Sequence, residues 1–156
     1  METAKIENDP LRAAALQAFW LLRIGFTVAP ILFGIDKFAH VLVDWDKYLA
    51  PEFTDLFNTS AHNLMYVVGA IEIAAGLVVA LRPRFGAYLV AAWLAGIIVN
   101  LLTVNPPEYY DIALRDFGLL LGALTLARLA WAVPHATGAL APARSRRQHT
   151  PMNQAA

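Results

Sequence analysis

Cysteine is absent from this chain of 156 residues. Its absence excludes disulfide bonds, thiol nucleophiles, iron–sulfur clusters and cysteine-based zinc sites. Neither sign of charge is in excess, because 12 basic residues balance 12 acidic ones. A neutral chain has no basic field that could attract nucleic acid, so we expect no nucleic-acid partner.

Charged residues of both signs are scarce. They make up 15% of the chain, whereas 58% of its residues are hydrophobic. Average soluble proteins carry about 25% charged residues, and a soluble domain of this size would need far more polar surface. The sequence also lacks the H-E-x-x-H, P-loop and G-x-S-x-G motifs of common enzyme classes. This composition is typical of an integral membrane protein.

Four apolar segments predict four transmembrane helices. Each is near the roughly 20 residues that a spanning helix needs, and open sheet edges cannot sit in lipid. Prolines at positions 83, 106, 107 and 134 mark the breaks between or after them. We therefore predict an all-α, four-helix membrane bundle, with helices at about residues 16–37, 64–81, 85–104 and 113–133.

The positive charges predict the orientation of the bundle. They precede the first segment, separate the second from the third and follow the fourth, so four crossings put them on one side. We therefore expect cytoplasmic termini, with residues 1–15 as a leading segment and residues 134–156 as a disordered basic tail. The N-terminus lacks signal-peptide features, so the first helix should be retained in a multi-pass protein of the cell (inner) membrane.

The predicted outer loop between the first two helices is rich in aromatic residues. Residues 38–57 place apolar side chains at roughly helical spacing, which indicates a short amphipathic element in the membrane interface. Two interpretations stay open: interfacial anchoring, or a lid over a pocket between the helices. The candidate lid residues are Trp45, Tyr48, Phe53 and Phe57.

A charged side chain inside an apolar segment is costly in lipid and should have a protein partner. Arg23 lies in the first segment and Glu72 in the second, at nearly equal depth for a rise of about 1.5 Å per residue. We therefore predict a buried Arg23–Glu72 ion pair. Such a pair either fixes the register of two helices or forms a ligand or proton site.

A second polar group is expected at the outer ends of the helices. Its members are Asp36, Lys37, Asn100, Asp111, Arg115 and Asp116. Most could be solvated helix ends, with Asp111 and Arg115 spaced to pair on one helix face. Alternatively, Lys37, Asn100 and Asp116 together could hydrogen-bond a quinone carbonyl or a small anion.

The four histidines lie outside the apolar segments. A haem with two intramembrane histidine ligands is therefore not expected. His40 and His62 fall on the same outer side, which is a weak signal for metal, and we assign no metal site.

Three segments contain short motifs with polar residues and glycines. They are Arg23-x-Gly25, Phe33-Gly34-x-x-Lys37-Phe38, Gly69-x-x-Glu72-x-x-x-Gly76-Leu77 and Arg115-Asp116. These motifs resemble those of the DoxX-like membrane proteins. The resemblance covers residues 16–133, and the chain departs from it in its long aromatic loop and in Pro30. It implies a four-helix bundle whose functional polar residues are Arg23, Lys37, Glu72 and Asp116. The family includes the small subunit of a thiosulfate:quinone oxidoreductase.

Three functional hypotheses follow. The first is a quinone-associated small subunit of a membrane redox complex, which has no redox centre or covalent cofactor and takes electrons from a partner. The second is a structural or assembly subunit that docks a protein partner, or another copy of the chain, through the aromatic loop. The third is a small-solute or proton pathway with Glu72 as the relay group.

Overall fold

The computed structural model describes residues 10–104 and 106–133, which form five α-helices and one 3₁₀-helix. No strand occurs in these two ranges. The all-helical prediction is therefore confirmed for the described part of the chain. In order, the helices are α1 (Pro10–Ala39), the 3₁₀-helix (Trp45–Tyr48), α2 (Pro51–Phe57), α3 (Ala61–Leu81), α4 (Pro83–Thr103) and α5 (Tyr110–Ala132).

Three of these helices, α1, α3 and α4, are long and apolar enough to cross a membrane. Their length and composition mark the chain as a membrane protein. Helix α5 is also long, with 23 residues, but it is less apolar than these three helices. The charged residues of α5 are Asp111, Arg115, Asp116 and Arg128. The fourth crossing accordingly stays a prediction.

The helix bounds differ from the predicted segments mainly at their starts. Helix α1 already includes Pro10, six residues before the predicted start, because polar residues can extend a helix beyond its apolar stretch. Helix α3 begins at Ala61 rather than residue 64, since the Ser60 hydroxyl caps it by accepting from the Asn63 amide at 3.2 Å. The short α2 was not predicted as a separate helix. The predicted tail, residues 134–156, lies outside the described residues, as do residues 1–9.

Glycines let α1 and α3 pack at very close range. A Cβ atom built at Gly34 would lie 2.6 Å from the Gly69 carbonyl oxygen, and one at Gly69 would lie 2.8 Å from the Gly34 oxygen. Further along the contact, a Cβ at Gly76 would lie 2.7 Å from the Thr27 oxygen. The two backbones therefore touch, as small residues permit in membrane helices.

Small side chains fill the bundle interior, while large ones face outward. The core around α3, α4 and α5 contains many alanines, among them Ala87, Ala123 and Ala127, each with no exposed surface. Leu21 and Leu114 are instead more than 70% exposed. Lipid solvates such side chains as well as a protein core does, so this distribution suits a membrane bundle.

The bundle has two chemically different ends. The segment from residue 40 to residue 60 and the α4–α5 connection lie at one end, which we call the loop end. The α3–α4 turn lies at the other end, which we call the arginine end after Arg82 and Arg84. Of the buried charged residues, Asp36, Lys37 and Asp116 lie toward the loop end, and Glu72 lies near the middle of α3.

Candidate functional site

Lys37 and Glu72 form an ion pair inside the bundle. The Lys37 Nζ atom lies 2.7 Å from Glu72 Oε2, and the two side chains are only 4% and 9% exposed. A pair so well removed from solvent has lost the hydration of both charges, so each depends on the other. We take this pair as the centre of the candidate site.

The packing of α1 on α3 explains why these two residues meet. Lys37 follows Gly34 by three residues, and Glu72 follows Gly69 by three residues in the antiparallel partner. Their Cα atoms are therefore offset by about 9 Å along the bundle axis, at about 1.5 Å per residue. Side chains on a helix lean toward its N-terminus, so Lys37 and Glu72 lean toward each other across this offset.

The predicted Arg23–Glu72 pair is wrong. The Arg23 guanidinium instead donates to the Ala80 carbonyl oxygen in the last turn of α3, where helical carbonyls have no partner of their own. It also lies 4.8 Å from the centre of the Trp20 ring. The glycine register puts Arg23 level with Ala80, and the lean of its side chain takes it further from Glu72.

Arg23 belongs to a groove at the arginine end. This groove has a volume of about 340 Å³ and is lined by residues that include Arg23, Arg82 and Arg84. A smaller groove continues from Arg23 along the face of α1, past Ile24 and Val28. By the glycine register, the Cα atom of Arg23 lies about 12 Å from that of Glu72 along the bundle axis, at about 1.5 Å per residue.

Trp45 covers the ion pair at the loop end. Lys37 Nζ lies 3.8 Å from the centre of the Trp45 ring, which is a close cation–π contact. The Trp45 Nε1–H donates to Asp36 Oδ2 at 2.7 Å, which fixes the orientation of the indole. Asp36 also accepts from the backbone amides of Val41 and Leu42, each at 3.0 Å. The Asp36 carboxylate therefore holds the Trp45 ring over Lys37, which is the next residue in α1.

The other predicted lid residues have different surroundings. Tyr48 packs on Tyr109 with 5.0 Å between ring centres, and Phe53 packs against the buried cluster that includes Ala50. Phe57 is 60% exposed. Of the four aromatic residues proposed as a lid, Trp45 is therefore the one whose ring lies over the ion pair.

Asn100 anchors the loop rather than joining Lys37. Its side-chain oxygen accepts from the Ala50 amide at 2.9 Å, and its side-chain nitrogen donates to the Tyr48 carbonyl. Both bonds tie the segment between the 3₁₀-helix and α2 to helix α4. The expected grouping of Lys37, Asn100 and Asp116 is therefore not formed, because Asn100 is already satisfied by backbone.

Arg115 and Asp116 are direct partners. The Arg115 Nε and Asp116 Oδ1 atoms are 3.1 Å apart, with the arginine mostly exposed and the aspartate buried. The predicted Asp111–Arg115 pair does not form, because Arg115 turns to its buried neighbour, and Asp111 stays exposed in the first turn of α5. Asp116 lies close enough to Glu72 to interact with it electrostatically.

Trp93 adds a buried hydrogen-bond donor to the site. Its Nε1 atom is shielded from solvent and has no hydrogen-bond partner within the described residues. The indole nevertheless lies near the Glu72 carboxylate, outside good hydrogen-bond geometry. A buried donor without a well-formed hydrogen bond costs about 1–3 kcal/mol, and an acceptor group brought within reach of this N–H would offset that cost.

Sequence reasoning missed Trp93, although Trp45 is among the lid residues that it predicts. No charge pattern marks Trp93, because α4 carries no charged residue between Arg84 and its end. A signal for the Lys37–Glu72 pair was present, since each of these residues follows a glycine by three positions.

Comparisons with protein-family models, with curated proteins and with solved structures find no match for this chain. The resemblance to DoxX-like proteins therefore stays an expectation from short motifs.

Proposed function

We propose that the protein is a quinone-associated small subunit of a membrane redox complex, without a redox centre of its own. One observation carries the proposal: a buried Trp93 N–H, without a hydrogen bond of good geometry, lies beside the buried Lys37–Glu72 ion pair. Quinone carbonyls only accept hydrogen bonds, so a ligand of this class needs such donors. The short motifs shared with DoxX-like proteins favour the same class of function.

The surroundings of the pair suit a planar, apolar ligand. The Trp45 ring beside Lys37 offers an aromatic face on which a quinone ring can stack. Trp93 Nε1–H and the Lys37 ammonium supply donors for its carbonyl oxygens. Glu72 supplies a carboxylate that can exchange protons when the quinone is reduced to the quinol. The electrons for that reduction come from a partner protein, because this chain has no cysteine for an iron–sulfur cluster and no histidine pair within its predicted apolar segments for a haem.

For the orientation we propose four crossings, with both termini in the cytoplasm of a cell whose inner membrane holds the protein. The charges of the two ends support this arrangement. Arg82 and Arg84 lie at the arginine end, whereas Asp44, Asp46 and Glu52 lie at the loop end. Positive charge favours the cytoplasmic side.

An assembly role is the second candidate, and exposed apolar residues at the loop end favour it. Leu56 is 74% exposed and Phe57 is 60% exposed, at the end of α2. Trp45, Tyr48 and Phe53 are turned into the bundle, so a docking surface would use Leu56 and Phe57 instead. This function requires no quinone, which separates it from the first proposal.

The replacement of Trp93 by phenylalanine tests the quinone proposal. Because it removes one hydrogen-bond donor while keeping most of the ring, we expect quinone affinity to fall about threefold to tenfold, for a bond worth about 0.5–1.5 kcal/mol. The measurement is equilibrium binding of a short-chain ubiquinone analogue to the purified protein in lipid nanodiscs.

Trp131→Phe is the matched control. Trp131 lies at the arginine end, where the Arg84 guanidinium is 4.8 Å from its ring centre. Its variant should bind the analogue as the unmodified protein does. Equal affinity in the Trp93 and Trp131 variants, or no saturable binding to the unmodified protein, contradicts the proposal and leaves the assembly role.

A further inference from the structure

Two histidines and an aspartate meet at the loop end, outside the quinone site. His40 follows α1, Asp46 lies in the 3₁₀-helix and His62 lies in the first turn of α3. The ligand-type atoms of these three side chains all lie within 4.8 Å of one another. Three separate elements thus bring together side chains that commonly bind transition metals.

The geometry of the group is well defined. His62 Nδ1 lies 3.2 Å from Asp46 Oδ2, and the His40 ring stacks on the His62 ring with 5.0 Å between centres. His62 Nε2 lies 2.8 Å from the Tyr66 hydroxyl oxygen. One nitrogen of His62 therefore faces the carboxylate, and the other is held by a tyrosine.

A second observation fits a bound cation. The other carboxylate oxygen, Asp46 Oδ1, is shielded from solvent and has no hydrogen-bond partner among residues 10–104 and 106–133. A buried carboxylate oxygen normally accepts a hydrogen bond or binds a metal, because its desolvation is otherwise uncompensated. A cation shared by the three side chains would satisfy this oxygen.

The backbone conformation at His40 also holds this residue in a defined position. Its φ angle is 53°, in the left-handed region that side chains other than glycine seldom adopt. Its amide donates to the Asp36 carbonyl oxygen at 2.7 Å, which closes the end of α1. This conformation directs the chain back, so that the His40 ring lies on His62.

We propose that His40, Asp46 and His62 bind a divalent transition-metal ion of the zinc class. Two imidazoles and one carboxylate are a ligand set that Zn²⁺ accepts, with the fourth position open to water or another ligand. Tetrahedral bonds of about 2.0–2.1 Å would hold the ligand atoms about 3.3 Å apart. These atoms lie within 4.8 Å of one another without metal, and rotation of the exposed His40 ring would bring its nitrogen closer to the other two. A hard ion such as Mg²⁺ prefers oxygen ligands and would bind weakly.

Tyr66 has a supporting role in this site. When Nδ1 of His62 binds the metal, its Nε2 carries the proton and donates it to the Tyr66 hydroxyl oxygen. Such a partner fixes the tautomer and the orientation of a metal-binding histidine, and its loss typically costs 10–100-fold in metal affinity. Without metal the same two contacts require the opposite tautomer, with Nδ1–H donating to Asp46.

A bound metal would link the loop to the helices of the bundle. His40 and His62 belong to the ends of two packed helices, whereas Asp46 belongs to the segment that carries Trp45. Metal binding would therefore stabilise the position of Trp45 over Lys37. The inference does not depend on whether the protein binds quinone.

Metal titration of purified protein without a histidine tag, after treatment with a chelator, tests the proposal. We expect saturable Zn²⁺ binding at one ion per chain, a visible absorption band with Co²⁺, a rise in thermal midpoint with Zn²⁺, and none of these with Mg²⁺. His40→Ala, Asp46→Asn and His62→Ala should each weaken Zn²⁺ binding at least tenfold, and Tyr66→Phe at least tenfold as well.

His149→Ala is the matched control, since this histidine is not one of the three proposed ligands. Its Zn²⁺ affinity should equal that of the unmodified protein. Each variant is first compared by circular dichroism without metal, and Asp46→Asn provides a variant that keeps both histidines. The proposal is overturned if folded His40 and His62 variants keep full Zn²⁺ affinity, or if the unmodified protein shows no saturable Zn²⁺ binding.

Discussion

Replacement of Lys37 by methionine should lower the free energy of unfolding by about 3–5 kcal/mol, the usual cost of removing one partner from a buried ion pair. The variant keeps the length and shape of the side chain but leaves the Glu72 carboxylate unpaired in the bundle interior. Reversible unfolding of the purified protein in mixed micelles measures the change. An unchanged unfolding midpoint would show that the pair does not form.

A double substitution shows whether the loss of stability comes from the unpaired Glu72 charge or from the changed shape of the side chain at position 37. Lys37→Met together with Glu72→Leu removes both charges, and such replacements of buried pairs are often neutral or stabilising. We therefore expect the double variant to be more stable than Lys37→Met alone, which is a non-additive result. Purely additive losses would count against a direct interaction.

Lys47→Met is the matched control for this prediction. Lys47 also forms an ion pair, with Asp44 Oδ2 at 3.4 Å, but the two side chains are 69% and 53% exposed. Exposed pairs contribute about 0–1 kcal/mol, so the Lys47 variant should be almost as stable as the unmodified protein. The same chemical change should thus have a large effect at position 37 and a small one at position 47.

The second large effect is expected at Gly34. Its replacement by alanine places a methyl group 2.6 Å from the Gly69 carbonyl oxygen, so α1 and α3 must separate. Overpacking of this kind typically costs about 1–3 kcal/mol. Because Lys37 and Glu72 lie on either side of this contact, the separation should also weaken their ion pair. Unfolding in mixed micelles again provides the measurement.

Gly25→Ala provides the control within the same helix. A Cβ atom at Gly25 meets no atom within 4 Å, so the change brings no steric cost. Alanine also has a better helix propensity than glycine, by about 0.8–1.0 kcal/mol in peptides. We expect Gly25→Ala to be neutral or stabilising. A similar loss of stability at positions 25 and 34 would contradict the close glycine contact between α1 and α3.

The apolar pattern of the sequence was sufficient to predict the long helices, because length and hydropathy set them directly. Pro83 and the Pro106–Pro107 pair marked real breaks between helices. The short helix α2 and the capping of α3 by Ser60 depend on local hydrogen bonds that hydropathy does not report. The structure therefore adds detail chiefly at the helix ends.

The ion pair was mispredicted for a definite geometric reason. Depth counting placed Arg23 and Glu72 level with each other, because it measured each residue from the end of an apolar segment. The true register comes from the Gly34–Gly69 contact, and the direction of each side chain comes from its lean toward the helix N-terminus. Both features move Glu72 toward Lys37 and away from Arg23.

The loop end was least predictable, because its contacts join residues that are far apart in the sequence. Asn100 binds backbone atoms near residue 50, and Asp36 binds the Trp45 indole nine positions later. The loop fold also brings His40 and Asp46 to His62. None of these partners has a characteristic spacing, so sequence reasoning could name the residues but not pair them.

Photoaffinity labelling most directly tests the claim that a quinone binds beside the Lys37–Glu72 pair. An azido-quinone would be photolysed with the protein in nanodiscs, with and without excess unlabelled quinone, and the labelled peptides identified by mass spectrometry. We predict that labelling suppressed by competitor falls on peptides that contain Lys37, Trp45 or Trp93. Suppressible labelling at Trp20 and Val28, in the groove near the arginine end, or none at all, would contradict the proposed site.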